Sequence, residues 1–176
     1  MRLLEFGTSK PEPNCSMSTI ISAKTLFEPK LCFSPLTATA VGPAGPPSSL
    51  TVSPYSGPST ALVISAAGLV TAEQLQWVQL GLSVPAGTTI NGVRVCYQVI
   101  GTPGTHITQV RLTEMTTPNV AVVRWDDAVT LGSTTPVCYT SRQAAFVTAG
   151  TITLMLRIAI AKAHDQILLG ELALVN

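Results

Sequence analysis

The chain has 176 residues, of which 46% are hydrophobic and only 11% charged, against roughly a quarter charged in an ordinary soluble protein. Ten basic and nine acidic side chains leave a net charge of +1, so there is no bulk field to steer a polyanion, and a mean hydropathy of +0.41 argues against a disordered chain. The length suits one domain with an appendage.

The charges are unevenly placed. Within residues 31–93 the sole charged side chain is Glu73, one carboxylate in sixty-three residues. A surface so poor in charge is best accommodated when the body of the domain or another subunit covers it, which predicts a homo-oligomer built through residues 31–93.

From the N-terminus, residues 1–6 carry no apolar run of signal-peptide length before the polar, Pro-interrupted residues 7–14. Classical secretion is therefore not expected, the compartment is left open, and Met17-Ser18-Thr19 reads as an alternative start to Met1. Nine of the thirteen prolines lie at or before Pro58. Each removes an amide donor and fixes φ, so residues 1–58 read as an extended or irregular Pro-rich arm, with a short strand around 49–52. The run 42–47 contains two collagen-like triplets, too few for a triple helix, and reads as a linker. Arg2, Lys10, Lys24 and Lys30 face Glu5, Glu12 and Glu28 in this arm, which disfavours nucleic acid as a partner.

Residues 59–176 read as a β-domain. Strands are predicted at 60–65, 75–84, 90–100, 106–115, 120–125, 137–139, 144–147, 151–161 and 166–175, separated by turn signals such as Gly101-Thr102-Pro103-Gly104. Alternation is clearest where Val78, Leu80, Leu82 and Val84 oppose Trp77, Gln79, Gly81 and Ser83, and where Val93, Val95, Tyr97 and Val99 oppose Arg94, Cys96 and Gln98. Thr71-Ala72-Glu73-Gln74 has the form of a capping box and leaves a short helix as an alternative there. About eight short strands without a convincing helix give an all-β fold, an antiparallel β-sandwich of jelly-roll type preceded by the arm. The apolar windows at 60–72 and 152–161 fall short of the roughly 20 residues of a spanning helix, so no membrane insertion is expected.

Few residues carry chemistry. Cys96 and Cys138 lie in candidate strands and are either small buried hydrophobes or, if the strands are neighbours, a disulfide contributing about 3–4 kcal/mol. Cys15 and Cys32 fall in the arm, where unpaired thiols are expected. His164-Asp165 and Asp126-Asp127 are assigned to turns; the first pair, with His106, offers a base, and the second offers oxygen ligands for a hard cation. Both also read as turn-forming residues. Arg94, Arg111 and Arg157 sit mid-strand, and these with Arg124 and Arg142 carry guanidinium groups suited to carboxylate pairs with Glu114, Asp126, Asp127 or Glu171. Trp77 falls on a polar face, which suits a sugar platform or a core edge, so carbohydrate is a candidate ligand with Trp77, Arg94 and Arg111 as binding residues.

No phosphate loop, dinucleotide fingerprint, nucleophile elbow or zinc motif is present, and no cofactor is implied. The reading is a non-catalytic, self-associating β-sandwich with a structural or ligand-binding role. The alternative is a small β-barrel or jelly-roll enzyme with a His/Asp pocket.

Overall fold

The computed structural model describes residues 29–42, 48–57 and 59–176. Among the described residues there are thirteen strands, of which eleven form two packed antiparallel sheets. The first runs β10 (Val137–Ser141), β7 (Gly92–Ile100), β13 (Gln166–Val175), β4 (Leu62–Ala66) and β3 (Leu50–Pro54), with β1 (Lys30–Phe33) also on β13. The second runs β2 (Thr39–Val41), β5 (Trp77–Leu82), β12 (Thr151–Ala159), β8 (His106–Thr117) and β9 (Val120–Leu131), and β6 (Thr89–Ile90) with β11 (Phe146–Val147) forms a small separate ladder. The fold is the antiparallel β-sandwich that the alternation implied.

The core lies between the sheets. Val93, Val95 and Val99 of β7, Ile167 and Leu169 of β13, and Ile64 of β4 meet Leu80 and Leu82 of β5, Val110 and Leu112 of β8, and Ile152, Leu154 and Leu156 of β12, all buried. Two-residue periodicity places each of these sets on one face, and burying it is the main driving term of the fold.

The N-terminal expectation needs correcting. Residues 30–54 do not form an irregular arm outside the domain: β1 pairs with β13, β2 with β5 and β3 with β4. The prolines punctuate these strands without interrupting them. Pro54 closes β3 at the sheet border, where its missing N–H costs no ladder bond, and Pro35 opens a 3-10 turn behind Ser34, whose hydroxyl accepts from Leu36 N at 3.4 Å. Residues 1–28 and most of the collagen-like run lie outside the described residues, as does Cys15.

Other local expectations resolve as follows. The capping box at Thr71 caps one 3-10 turn, Ala72–Gln74, in which Thr71 N donates to Gln74 Oε1 at 2.9 Å. Asp126 and Asp127 are not in a turn; they lie mid-way along the twelve-residue β9, held there by partners on both faces. Cys96 and Cys138 are opposite one another on β7 and β10 and form a disulfide. Cys32 is disulfide-bonded too, contrary to the thiol expected of it. Among the described residues no helix is long and apolar enough to cross a membrane.

Much of the uncharged stretch is covered by the domain itself. β4 and β5 are internal strands of their sheets, and Leu62, Ile64, Val70, Trp77, Val78, Leu80, Leu82, Ile90 and Val93 are buried. The sandwich is then stitched along both sides by polar bonds. Trp125 Nε1 donates to Ser141 Oγ at 2.9 Å, and Tyr139 OH donates to Asp127 Oδ2 at 2.8 Å, joining β9 to β10. On the far side, Ser48 Oγ and Ser49 N donate to the buried Gln76 Oε1 at 2.7 and 3.0 Å.

Candidate functional site

A groove on the first sheet arises from its last strand. Residues 166–169 of β13 pair with β4 and residues 172–175 pair with β1, while against β7 the register slips between Leu169 and Leu172. Gly170 and Glu171 therefore occupy a bulge at the seam between two neighbouring strands, where the ladder is interrupted. A groove of about 800 Å³ opens over this point on the outer face. Its lining includes the Cys96–Cys138 disulfide, Val137, Leu168, Gln98, Arg94 and Glu171, and a second hollow of about 540 Å³, by Phe33 and Ser34, shares Thr60, Gly170 and Glu171 with it.

Strand alternation explains why these side chains converge. Arg94, Cys96 and Gln98 are the outward positions of β7, and the inward ones are apolar and buried. Arg94 Nε stands 3.6 Å from Glu171 Oε1, an ion pair too long for a hydrogen bond, and this buried Nε has no hydrogen-bond partner. Gln98 Nε2 donates to Thr134 O at 3.0 Å, which fixes the amide at the groove wall. At Gly170 a Cβ would meet only Cys96 O, at 3.7 Å, so this position keeps the groove open without being required by packing.

The second sheet's outer face is arranged differently. The Arg111 guanidinium lies 4.9 Å from the Trp77 ring centroid and that of Arg157 lies 5.8 Å from it. Arg111 donates to both oxygens of Asp126, at 3.3 and 3.0 Å, and Gln109 Nε2 donates to Asp126 Oδ1. Burial opposes ionisation of Asp126, but the Arg111 and Gln109 donors outweigh it and hold its carboxyl below the usual aspartate range. Arg157 Nε donates to Thr108 Oγ1 at 2.8 Å. Trp77 is 8% exposed beneath these cations and offers no free ring face to a sugar.

The sequence-derived binding residues are thus divided: Arg94 lies on one sheet, Trp77 and Arg111 on the other. Three of the expected arginine pairs form, Arg94–Glu171, Arg111–Asp126 and Arg124–Glu114. The last is the most enclosed. Glu114 is fully buried, accepting from Arg124 Nε at 2.7 Å, from Gly150 N at 2.8 Å and from Ala149 N. Burial alone would raise its pKa, yet these donors more than compensate and hold the carboxyl below its ordinary range.

The His/Asp candidates serve the turns. Asp165 is buried and accepts from Thr105 Oγ1 at 2.6 Å, Thr102 Oγ1 at 2.7 Å and Thr102 N at 3.2 Å; the Thr105 and Thr102 hydroxyls hold its carboxyl below the usual range. A Cβ at Gly101 would run into that carboxyl, so glycine is required there. His106 Nδ1 donates to Gly104 O at 2.8 Å, and His164 occupies the left-handed region at φ 71°. Asp126 and Asp127 address opposite faces of β9, as neighbours on a strand must, and cannot jointly face one cation. Among the described residues no three His, Cys, Asp or Glu side chains gather as a metal-ligand set.

The sequence offers Glu171 as an arginine partner but does not single out Gln98 or Gly170 as site residues. The available signal was the polar interruption Gly170-Glu171 inside the otherwise apolar last strand, the pattern of a bulge.

No protein-family model matches this chain, and no curated protein matches it in sequence. Solved structures do resemble it in fold. A family 11 carbohydrate-binding module from Clostridium thermocellum, in complex with a β-1,3-1,4-mixed-linked tetrasaccharide, aligns over 84% of this chain and 95% of its own at 10% identity, with a TM-score of 0.53. A family 35 carbohydrate-binding module from the same organism aligns over 83% of this chain and 97% of its own at 10% identity, with a TM-score of 0.46. At such identities the likeness is one of fold, and on the first of them the chain is an antiparallel β-sandwich of the jelly-roll kind.

Proposed function

We propose that this protein is a non-catalytic carbohydrate-binding module whose ligand lies in the groove across β10, β7 and β13. The observation that carries the reading is Arg94 Nε, a buried donor without a hydrogen-bond partner in the wall of an open groove. The Arg94 side chain as a whole is 30% exposed, so its guanidinium still offers donors to a ligand acceptor. Sugar hydroxyls both donate and accept, and so match the Arg94 donors, the Glu171 carboxylate and the Gln98 amide together. The disulfide, Val137 and Leu168 supply an apolar floor for the C–H face of a ring. The fold likeness to a module holding a tetrasaccharide supports the same reading. Binding is favoured over cleavage because Glu171 is the one carboxylate lining the groove among the described residues, whereas glycoside hydrolysis ordinarily uses two.

Titration calorimetry with the β-1,3-1,4-mixed-linked tetrasaccharide, alongside a glycan array, tests this. Arg94→Ala and Gly170→Trp should each weaken binding by about tenfold or more while both proteins stay folded, since a partly exposed ion pair adds little and Gly170 has room for a Cβ. No glycan bound by the wild type, or undiminished binding by both variants, overturns the reading.

Self-association belongs to the same proposal. Among the described residues Leu36, Tyr55, Leu69 and Leu75 within the uncharged stretch, and Met115, Val120, Val122 and Val123 beyond it, are exposed. Light scattering on the full chain decides whether the protein is a monomer.

A further inference from the structure

A strand at a sheet border presents unpaired N–H and C=O groups, a template for another strand unless something blocks it. Most borders of the two main sheets carry such a block. β1 begins with Lys30, β3 ends on Pro54, β2 has three residues, and β10 follows Pro136 and is tied to β7 through Cys138. β9 differs: it is twelve residues long and contains neither lysine nor proline. Its middle is occupied by the bonds to Ser141 and Tyr139 and by Gln143 Nε2, which donates to Asp126 O at 2.6 Å. Among the described residues, its first four make no such bond across that border.

Those four residues, Val120 to Val123, are also bare on both faces. Val120 is 48% exposed and Val123 49%, and Met115 on the adjoining strand is exposed as well. The next residue, Arg124, brings no net charge to the border, because the register slip between Leu112 and Thr113 accompanies its turn toward the buried Glu114.

We propose that β9 of one copy pairs antiparallel with β9 of a second copy about a two-fold axis near Val122, continuing the second sheet into its partner. The inference rests on the self-association proposed for this protein and moves its place from residues 31–93, much of which the domain itself covers, to the border strand β9. The charge match favours a second copy as the occupant. An added strand must be uncharged and apolar on both faces over this length, and Val120 to Val123 is itself such a strand. In a two-fold pairing it meets its own equivalent, no like charges are brought together, and the Arg124 side chains arrive already neutralised by Glu114.

Sedimentation equilibrium of the full chain, with Val122→Lys, Val122→Glu and Leu69→Lys variants, tests this. The wild type and Leu69→Lys should dimerise alike, and each Val122 variant alone should dimerise at least about tenfold more weakly, because like charges then oppose one another across the axis. Mixing the Val122→Lys and Val122→Glu proteins should restore dimers, which a misfolded variant could not do. A monomeric wild type overturns both the placement and the self-association. A wild-type dimer unaffected by both Val122 substitutions, or one that the mixture fails to restore, overturns the placement alone.

Discussion

The two outer faces of the sandwich carry similar residue types and differ in what those residues have left to give. On the second sheet Arg111 and Gln109 both donate to Asp126, and Trp77 lies beneath the Arg111 and Arg157 guanidinium groups. On the first sheet Arg94 and Glu171 face each other at 3.6 Å with the Nε donor unpaired and a groove above them. An arginine beside an aromatic ring belongs to an internally satisfied patch in one case, and an arginine with an unpaired Nε lines the proposed site in the other.

Three measurements bear on this contrast. The largest effect is expected from replacing both cysteines of the groove floor with serine. The bond closes a 42-residue separation, so the double variant should lose about 4 kcal/mol in chemical denaturation on the chain-entropy account. A stability unchanged by this removal would show that the floor is held by packing alone. Next, Trp77→Ala should cost about 3 kcal/mol, the order of magnitude for truncating a buried aromatic, while glycan affinity stays as in the wild type. Loss of glycan binding there would move the site to the second sheet and break the contrast.

The smallest effect concerns Arg111. Asp126 and Arg111 are partly solvated, at 42% and 27% side-chain exposure, so Arg111→Ala should cost about 0.5 kcal/mol at neutral pH. Because the folded-state pKa of Asp126 is depressed, the stabilisation is fully present above its ordinary value of 3.8 and is lost as the pH falls through the folded value. The wild-type and variant stabilities should therefore converge in acid urea melts. A gap that widened on acidification would contradict the pairing.

The central strands were legible because their signal is local. In β7, Val93, Val95, Tyr97 and Val99 alternate with polar residues, and in β12 Ile152, Leu154, Leu156 and Ile158 do the same; burial follows that alternation. β3 was foreshadowed by the strand expected around 49–52, but β1 and β2 were hidden because dense prolines argue against sheet, whereas prolines at borders and strand ends are compatible with it. Asp126 and Asp127 resembled a turn because their partners, Arg111 and Tyr139, come from other strands. The groove was illegible for a similar reason. It depends on β13 exchanging β4 for β1 at Gly170 and Glu171, a property of three strands that no single window of sequence contains.

Gly170 carries one more consequence, for how such a protein changes over generations. Packing makes almost no demand on its side chain, since a Cβ there would reach only Cys96 O at 3.7 Å, yet the residue stands at the mouth of the groove. On the proposed function, folding and recognition are uncoupled at this position. Single-codon changes could shorten, divide or reshape the cleft without passing through an unfolded ancestor, so lineages that keep the scaffold would be free to diverge in what they hold.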